Sequence, residues 1–251
     1  MKFLHISDLH FHRTNKKNTK VKMMLQTIKI KYPNHYLIVT GDITDDGSSR
    51  QYRHAYKALK KFMGKIFICP GNHDFGVVGN FYSKKRAKKF DRYLATPLNQ
   101  HGTFYGDNKP VVNVVTDNND SVMLIALDSN LETKHIFDFS CGKIGKSQLS
   151  GVKSILFDPL TSTMQKIIFF HHHPFIVNDN TMKLKDADKI MKLLDRKIEI
   201  LMFGHKHKSK YWKNKKGIEH ILASDNSPGT KNRIREIDIN KGVIKVTTIQ
   251  L

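Results

Sequence analysis

Short apolar runs rich in β-branched and aromatic residues recur along this chain, at residues 3–6, 36–40, 66–69, 122–127, 167–170 and 198–203. Each has the length of a buried strand and is too short for a helix. Several of the intervals carry apolar residues at helical spacing: Val21, Met24, Leu25 and Ile28, then Tyr52, Ala55, Tyr56 and Leu59, then Ala187, Ile190, Met191 and Leu194. Ser48 and Gln51 open the second of these as a capping box. Strands alternating with helices predict an α/β chain, a sheet with helical outer layers. After residue 207 the texture changes to strand-like runs at 217–222, 234–239 and 243–249, the last two joined by a turn at 240–242, which reads as an antiparallel portion. Residues 75–110 are the least determined stretch and are expected to hold a substrate-facing insertion.

A length of 251 residues with 39% hydrophobic content fits one domain spanning 1–251, and no linker composition interrupts it. Cys69 and Cys141 match neither a disulfide framework nor a paired zinc motif and read as free thiols in a reducing compartment. No run approaches the ~18 apolar residues of a membrane span. The N-terminal apolar run leads straight into the polar stretch at Ser7 and Asp8 rather than into a leader. The cytoplasm is the expected location, with no membrane partner.

The Lys and Arg total of 43 against 22 acidic residues gives a formal charge of +21, which attracts anionic partners over long range. Lysines occur in nearly every expected helix and turn, with a local cluster at 84–89, so the charge fits a lysine-rich composition as well as a nucleic-acid footprint.

The chemistry lies where the runs end. Asp8-Leu9-His10, Gly41-Asp42, Gly71-Asn72-His73-Asp74, His171-His172-His173-Pro174 and Gly204-His205-Lys206-His207 each follow an apolar run. Strand ends are where α/β sheets gather their sites, and glycine lets the backbone turn sharply beside a ligand. A lone Asp at a strand end is an ordinary turn or cap; five ordered segments of this kind are not. Mixed nitrogen and oxygen donors suit Mn, Fe, Zn or Co better than calcium. Within 171–173, side chains on an extended backbone alternate, so His171 and His173 would share a side; His171 is preferred, His173 is its rival and His172 reads as structural. His12, Asp45, Asp46 and Lys206 carry lower weight, since turn chemistry or solvent exposure explains each of them.

This ordered set resembles the calcineurin-like metallophosphoesterases across the whole chain, nearest the cyclic-nucleotide and glycerophosphodiester phosphodiesterases. Gly145, Gln148 and Leu149, opening a helix, resemble the segment that precedes the family's lone histidine. The resemblance implies two mixed β-sheets packed as a sandwich and flanked by helices in four layers. It implies two transition-metal ions: Asp8, His10 and His207 on the first, Asn72, His171 and His205 on the second, and Asp42 bridging both. It also implies in-line attack by a hydroxide between cations ~3.5–4 Å apart. His73 resembles the family histidine that stabilises the phosphate or protonates the leaving group, with Asp74 orienting it.

The expected substrate is a small phosphodiester, cyclic nucleotides included. A nucleic-acid nuclease of the same superfamily ranks second because no appended DNA-binding region is visible. A non-catalytic scaffold ranks last because the ligand set is complete. Oligomeric state is left open by the sequence.

Overall fold

The computed structural model describes residues 1–77, 81–106, 108–117, 120–130, 138–176, 178–230 and 233–251. Strands β1 (Lys2–Ile6), β2 (Tyr36–Thr40) and β3 (Ile66–Cys69) run parallel, with Ile6 opposite Val39 and Val39 opposite Ile68. A short hairpin follows, β4 (Gly76–Val77) with β5 (Phe81–Tyr82). Strands β6 (Val111–Thr116), β7 (Ser121–Ala126), β8 (Gln165–Phe169), β9 (Ile200–Phe203), β10 (Lys210–Lys215) and β11 (Ile218–Ala223) form a second sheet in the order β10-β11-β9-β8-β7-β6. Finally β12 (Arg233–Asn240) and β13 (Val243–Gln250) return to the first sheet, giving β13-β12-β1-β2-β3.

Both sheets are mixed and stacked, and alternation along the strands explains how. In β7, Val122, Leu124 and Ala126 join a core shared with Phe3, Leu37 and Ile68 of the first sheet. Met123 and Ile125 face the other way, toward α5 (Gly145–Leu156) and α6 (Ala187–Leu194). On the far side, α1 (Thr19–Lys31) and α2 (Ser49–Leu59) cover the first sheet with Val21, Leu25, Tyr52 and Leu59. The result is a helix–sheet–sheet–helix stack. Burial on both faces is why these strands read as continuous apolar runs instead of alternating ones. Two short helices, α3 (Asn72–Phe75) and α4 (Lys84–Phe90), complete the set.

Each of the expected runs forms a strand, with small shifts at the ends. The C-terminal portion differs from expectation. Its hairpins are antiparallel, but β11 pairs parallel with β9, and the two hairpins belong to different sheets. Strands β6 and β10 were not expected either. Both are sheet edges; β10 lacks an apolar run, whereas β6 carries Val111, Val112, Val114 and Val115 around Asn113. The stretch 75–110 places Ala87, Phe90, Leu94 and Phe104 in the core shared with α2, where the Phe90 ring lies 6.2 Å from that of Tyr52 and 5.6 Å from that of Phe104. Residues 78–80 and 107 of that stretch lie outside the described residues.

Candidate metal centre

Parallel strands in both sheets point their C-terminal ends to one place. Asp8 follows β1, Asp42 follows β2, Asn72 follows β3, His171 follows β8, and His205 and His207 follow β9. The loops lock together through backbone bonds: Asp8 N–H donates to Gly41 O (3.1 Å), His10 N–H to Asp42 O (2.9 Å) and Gly204 N–H to His171 O (3.0 Å). Asp8, His10, Asp42, His205 and His207 all have positive φ, between 45° and 75°. A non-glycine residue there is strained by of order 1–3 kcal/mol, and such residues concentrate at functional sites. Gly71 and Gly204 allow the close approach. A Cβ on Gly71 would lie 2.2 Å from Asp42 Oδ1, and one on Gly204 would lie 2.5 Å from Asp8 Oδ2.

The donors meet in overlapping groups, each spanning less than 4.8 Å: Asp8, His10 and His207; His10, Asp42 and His73; Asp8, Asp42 and His171. His205 Nδ1 lies 3.1 Å from Asn72 Oδ1 and 3.2 Å from His171 Nε2, joining those two residues to the cluster. All except His73 and His207 are buried.

Outer partners fix which nitrogen each ring offers, with tautomers inferred from those partners. His171 Nδ1–H donates to Thr40 O (2.9 Å), so its Nε2 faces Asp42 Oδ2 at 3.1 Å. His205 Nε2–H donates to Met182 O (3.1 Å), leaving Nδ1 toward Asn72 and His171. His207 Nδ1–H donates to Ser227 Oγ (3.1 Å), which donates on to Asp225 Oδ1 (2.6 Å), and its Nε2 lies 3.7 Å from Asp8 Oδ1. With their outer nitrogens donating, His205 and His207 turn the inner nitrogens toward amide and carboxylate oxygens. Asp8 Oδ2 and His10 Nε2 are buried with no hydrogen-bond partner at all. Acceptors facing acceptors in a dry site are costly unless positive charge lies between them. The donor set therefore fits bound cations.

The electrostatics reflect the same demand. Burial works against charge on both Asp42 and His171, yet their mutual attraction holds the Asp42 carboxyl well down and the His171 imidazole up. Burial, with the Asp42 charge beside it, raises Asp8 to about 6, and burial lowers His10 and His205 to about 3.

Two expectations are corrected. Asp74 does not touch the His73 ring; its carboxylate accepts from Gly71 N (3.0 Å), Ile43 N (3.2 Å), Thr44 N (2.8 Å) and Thr44 Oγ1 (2.8 Å), tying the β2 and β3 loops together. The His73 ring is held instead by Asp45 O, 2.8 Å from Nδ1, and its backbone N–H donates to Asp42 Oδ1 at 2.9 Å. Burial alone would lower the His73 pKa, but Asp42 and the Asp45 carbonyl raise it. Secondly, 171–173 is bent, not extended, so alternation fails. His173 packs against Phe203 (4.7 Å between ring centroids), Phe175 and Trp212 (both 5.8 Å), away from the cluster. Burial lowers its pKa to about 4, helped by Lys206, Lys215 and Lys210. His172 is held by Ser129 Oγ at 2.8 Å.

Of the lower-weighted residues, Asp45 stands between two rings, 3.1 Å from His12 Nδ1 and 3.9 Å from His10 Nδ1, while Asp46 pairs with Arg13. Lys206 is exposed. Thr40, Ser129, Met182, Asp225 and Ser227 escaped sequence reasoning. Thr40 and Met182 act through backbone carbonyls, which carry no residue-type signal.

Stacked mixed sheets that deliver nitrogen and oxygen donors from their strand ends to one charge-demanding point define a metal-dependent hydrolase. The chain belongs to the calcineurin-like phosphoesterase family, whose model matches residues 1–209. It is 26% identical over 220 residues to a probable cyclic nucleotide phosphodiesterase of Coxiella burnetii, covering 82% of this chain and 76% of the relative. It is 23% identical over 220 residues to a 3',5'-cyclic adenosine monophosphate phosphodiesterase of Vibrio vulnificus, covering 82% and 70%. Its fold is similar to that of a dimetal phosphatase from Danio rerio, with a TM-score of 0.66, 16% identity and coverage of 100% and 98%.

Proposed function

We propose that this chain is a dinuclear metal-dependent phosphodiesterase acting on small phosphodiesters, cyclic nucleotides among them. The observation that carries the reading is the convergence of buried carboxylate, amide and imidazole donor atoms from strand ends of both sheets. In this reading Asp8, His10 and His207 hold one cation, Asn72, His171 and His205 hold the other, and Asp42 serves both. Membership of Asp42 in two overlapping donor groups supports that shared role. Mn, Fe, Zn and Co are the candidate ions. Two bound cations supply charge for phosphoryl oxygens and make water acidic enough to act as a nucleophile near neutral pH.

The chain's own residues do the rest. Thr40, Met182 and Ser227 keep the ligating rings aimed, so little reorganisation is needed during turnover. Asp45 O holds His73 by Nδ1, which leaves Nε2 for the ester. His73 then stabilises phosphate charge or passes a proton to the leaving oxygen. Asp74 acts by positioning the loop that carries Asn72 and His73.

The substrate class rests on the phosphodiesterase names of the relatives and on a cleft of about 540 Å³, a size suited to a small ligand. Tyr82, Lys84, Tyr105, Asp128, Asn130 and Lys143 line it. Asp128 on its wall is followed by Ser129, whose Oγ accepts the backbone N–H of His171 at 3.3 Å. Residues from 75–110 form one wall, which supports the reading of that stretch as substrate-facing within a single 1–251 domain. The free, buried thiols of Cys69 and Cys141 support a reducing, cytoplasmic setting.

The test is an activity panel on enzyme stripped and reconstituted with each ion. It comprises 3',5'-cyclic nucleotides, a chromogenic diester, phosphomonoesters, RNA, and single- and double-stranded DNA. Highest specificity for small diesters is expected. Efficient DNA cleavage with negligible turnover of every small diester would promote the nuclease reading, and no hydrolysis with two ions bound would promote the scaffold.

A further inference from the structure

Two stacked sheets have four outer strands, and the free edge of each is a row of unpaired backbone groups that can accept another strand. Three of the four are guarded. Gln100 gives β3 side-chain partners at Ile66 and Ile68, Lys245 stands in β13, and Lys210, Lys213 and Lys215 stand in β10. The fourth, β6, is made of four valines, Asn113 and Thr116, with no charged residue from Pro110 to Thr116. Among the described residues it pairs only with β7, and Val114 on it is 48% exposed.

Beside this edge lies a recess of about 720 Å³, between 113–116 and the turn at 96–103, whose lining residues include no Asp, Glu, Lys or Arg. In a chain of net charge +21, a charge-free side is where a second copy meets least repulsion. Asn113 lines the recess and is 4% exposed, and neither its Oδ1 nor its Nδ2 has a hydrogen-bond partner. Its neighbours on the same face of β6, Val111 and Val115, enter the core between the sheets. A buried amide with both donor and acceptor unpaired is costly, and it calls for a group that offers one of each.

We propose that β6 pairs antiparallel with β6 of a second copy of this chain, centred on Asn113, joining the two six-stranded sheets across a twofold axis. The inference goes beyond the hydrolytic reading and holds whichever diester is cleaved. The sequence around Asn113 is complementary to itself in this register. Asn113 faces Asn113, and two identical amides on one face exchange two hydrogen bonds, one each way. Val112 faces Val114, and Val111 faces Val115. Just outside the strand, Lys109 faces Asp117, which sets opposite charges across both ends of the joint. Both are exposed, and Asp117 also holds the N-terminal ammonium at 3.3 Å. A shift of one residue sets each amide against a valine and parts Lys109 from Asp117. A foreign strand would need an apolar run with a central amide and charges of opposite sign at its ends; a second copy supplies all three.

The test is sedimentation velocity of the full chain across a concentration series, with melting curves to check that each variant folds. The parent should approach twice its mass of 29.0 kDa. Val114→Lys places a charge on the open edge and should remain monomeric. Lys109→Glu sets like charges together at both ends and should raise the dissociation constant about tenfold, and Lys109→Glu/Asp117→Lys should recover most of that loss. Cross-linking reads the register. Asn113→Cys should form an intermolecular disulfide under mild oxidation, because residues opposite each other in an antiparallel pair have Cα atoms ~4.5–5.5 Å apart. Thr116→Cys should not, since the two copies of residue 116 would lie ~20 Å apart. Cys69 and Cys141 are buried, and the parent serves as the background for both. A parent that stays at 29.0 kDa throughout would overturn the proposal and leave Asn113 to water or a small ligand. A dimer that Val114→Lys leaves intact, or equal cross-linking at 113 and 116, would overturn it too. If Val114→Lys does not fold, the charge reversal decides, and no recovery in the double variant counts against the pairing.

Discussion

At the scale of the residue, the centre separates groups that hold charge from groups that aim them. Asp42→Asn removes the carboxylate shared by the overlapping donor groups, so metal titration should show weakened binding of both ions rather than one. Loss of a single ion, with the other site and activity intact, would remove Asp42 from the bridging role. His73→Ala should keep most of the metal while lowering turnover by about 10²- to 10⁴-fold, the range for a positioned proton donor. His171→Ala should empty one site, whereas His173→Ala should leave metal content unchanged and reduce stability, because its ring packs on Phe203 and Trp212. Elemental analysis of the two variants separates the cases. The donor types were readable in the sequence because they are rare side chains in an ordered pattern. Their orientation was not, because Thr40, Met182 and Asp45 act through carbonyl oxygens that every residue possesses.

At the scale of the element, what the sequence hid is how edges are managed. Apolar runs announced the central strands, since both faces are buried and each position must be hydrophobic. The lysine-rich edge strand β10 escapes that rule and was missed for this reason, whereas the edge strand β6 was missed although it carries Val111, Val112, Val114 and Val115. The outer edge of β3 shows a separate device: Gln100 imitates a neighbouring strand. Its Oε1 accepts from Ile68 N at 3.0 Å and its Nε2 donates to Ile66 O at 2.8 Å, in a buried position. Nothing in the local sequence marks a glutamine in a turn for this role. Gln100→Ala leaves one buried donor and one buried acceptor unpaired, at about 1–3 kcal/mol for each such group before water enters. Urea unfolding should show a lower midpoint with an unchanged slope, and metal binding should persist because the metal centre lies beyond the opposite end of β3. A change below about 0.5 kcal/mol would mean that solvent already satisfies this edge.

At the scale of the whole molecule, two stacked mixed sheets bury titratable groups where they meet. His5 on β1 is fully buried; Nε2 bonds Thr40 Oγ1 at 2.9 Å and Nδ1 has no partner. Opposite it in register is Arg235, whose guanidinium reaches across to Ser209, beside β10 of the second sheet. Burial, with the Arg235 charge adding to it, lowers the His5 pKa from 6.5 to about 3. The unfolded chain therefore takes up a proton near pH 6.5 that the folded chain refuses until about pH 3. Stability is fully present above the unfolded value and falls as pH drops through that window. At pH 5 the loss from this group is about 2 kcal/mol, a sizeable part of the ~5–15 kcal/mol that separates folded from unfolded chains. His5→Gln keeps a polar partner for Thr40 and removes the titration. Unfolding at pH 7.5 and pH 5, with chelator present so that metal release does not contribute, isolates the effect, because the other buried histidines cancel in the difference. The variant should lose about 2 kcal/mol less than the parent over that interval. Parallel losses in the two proteins would show that His5 accepts its proton in the folded state, and would place the acid sensitivity of the sheet interface elsewhere.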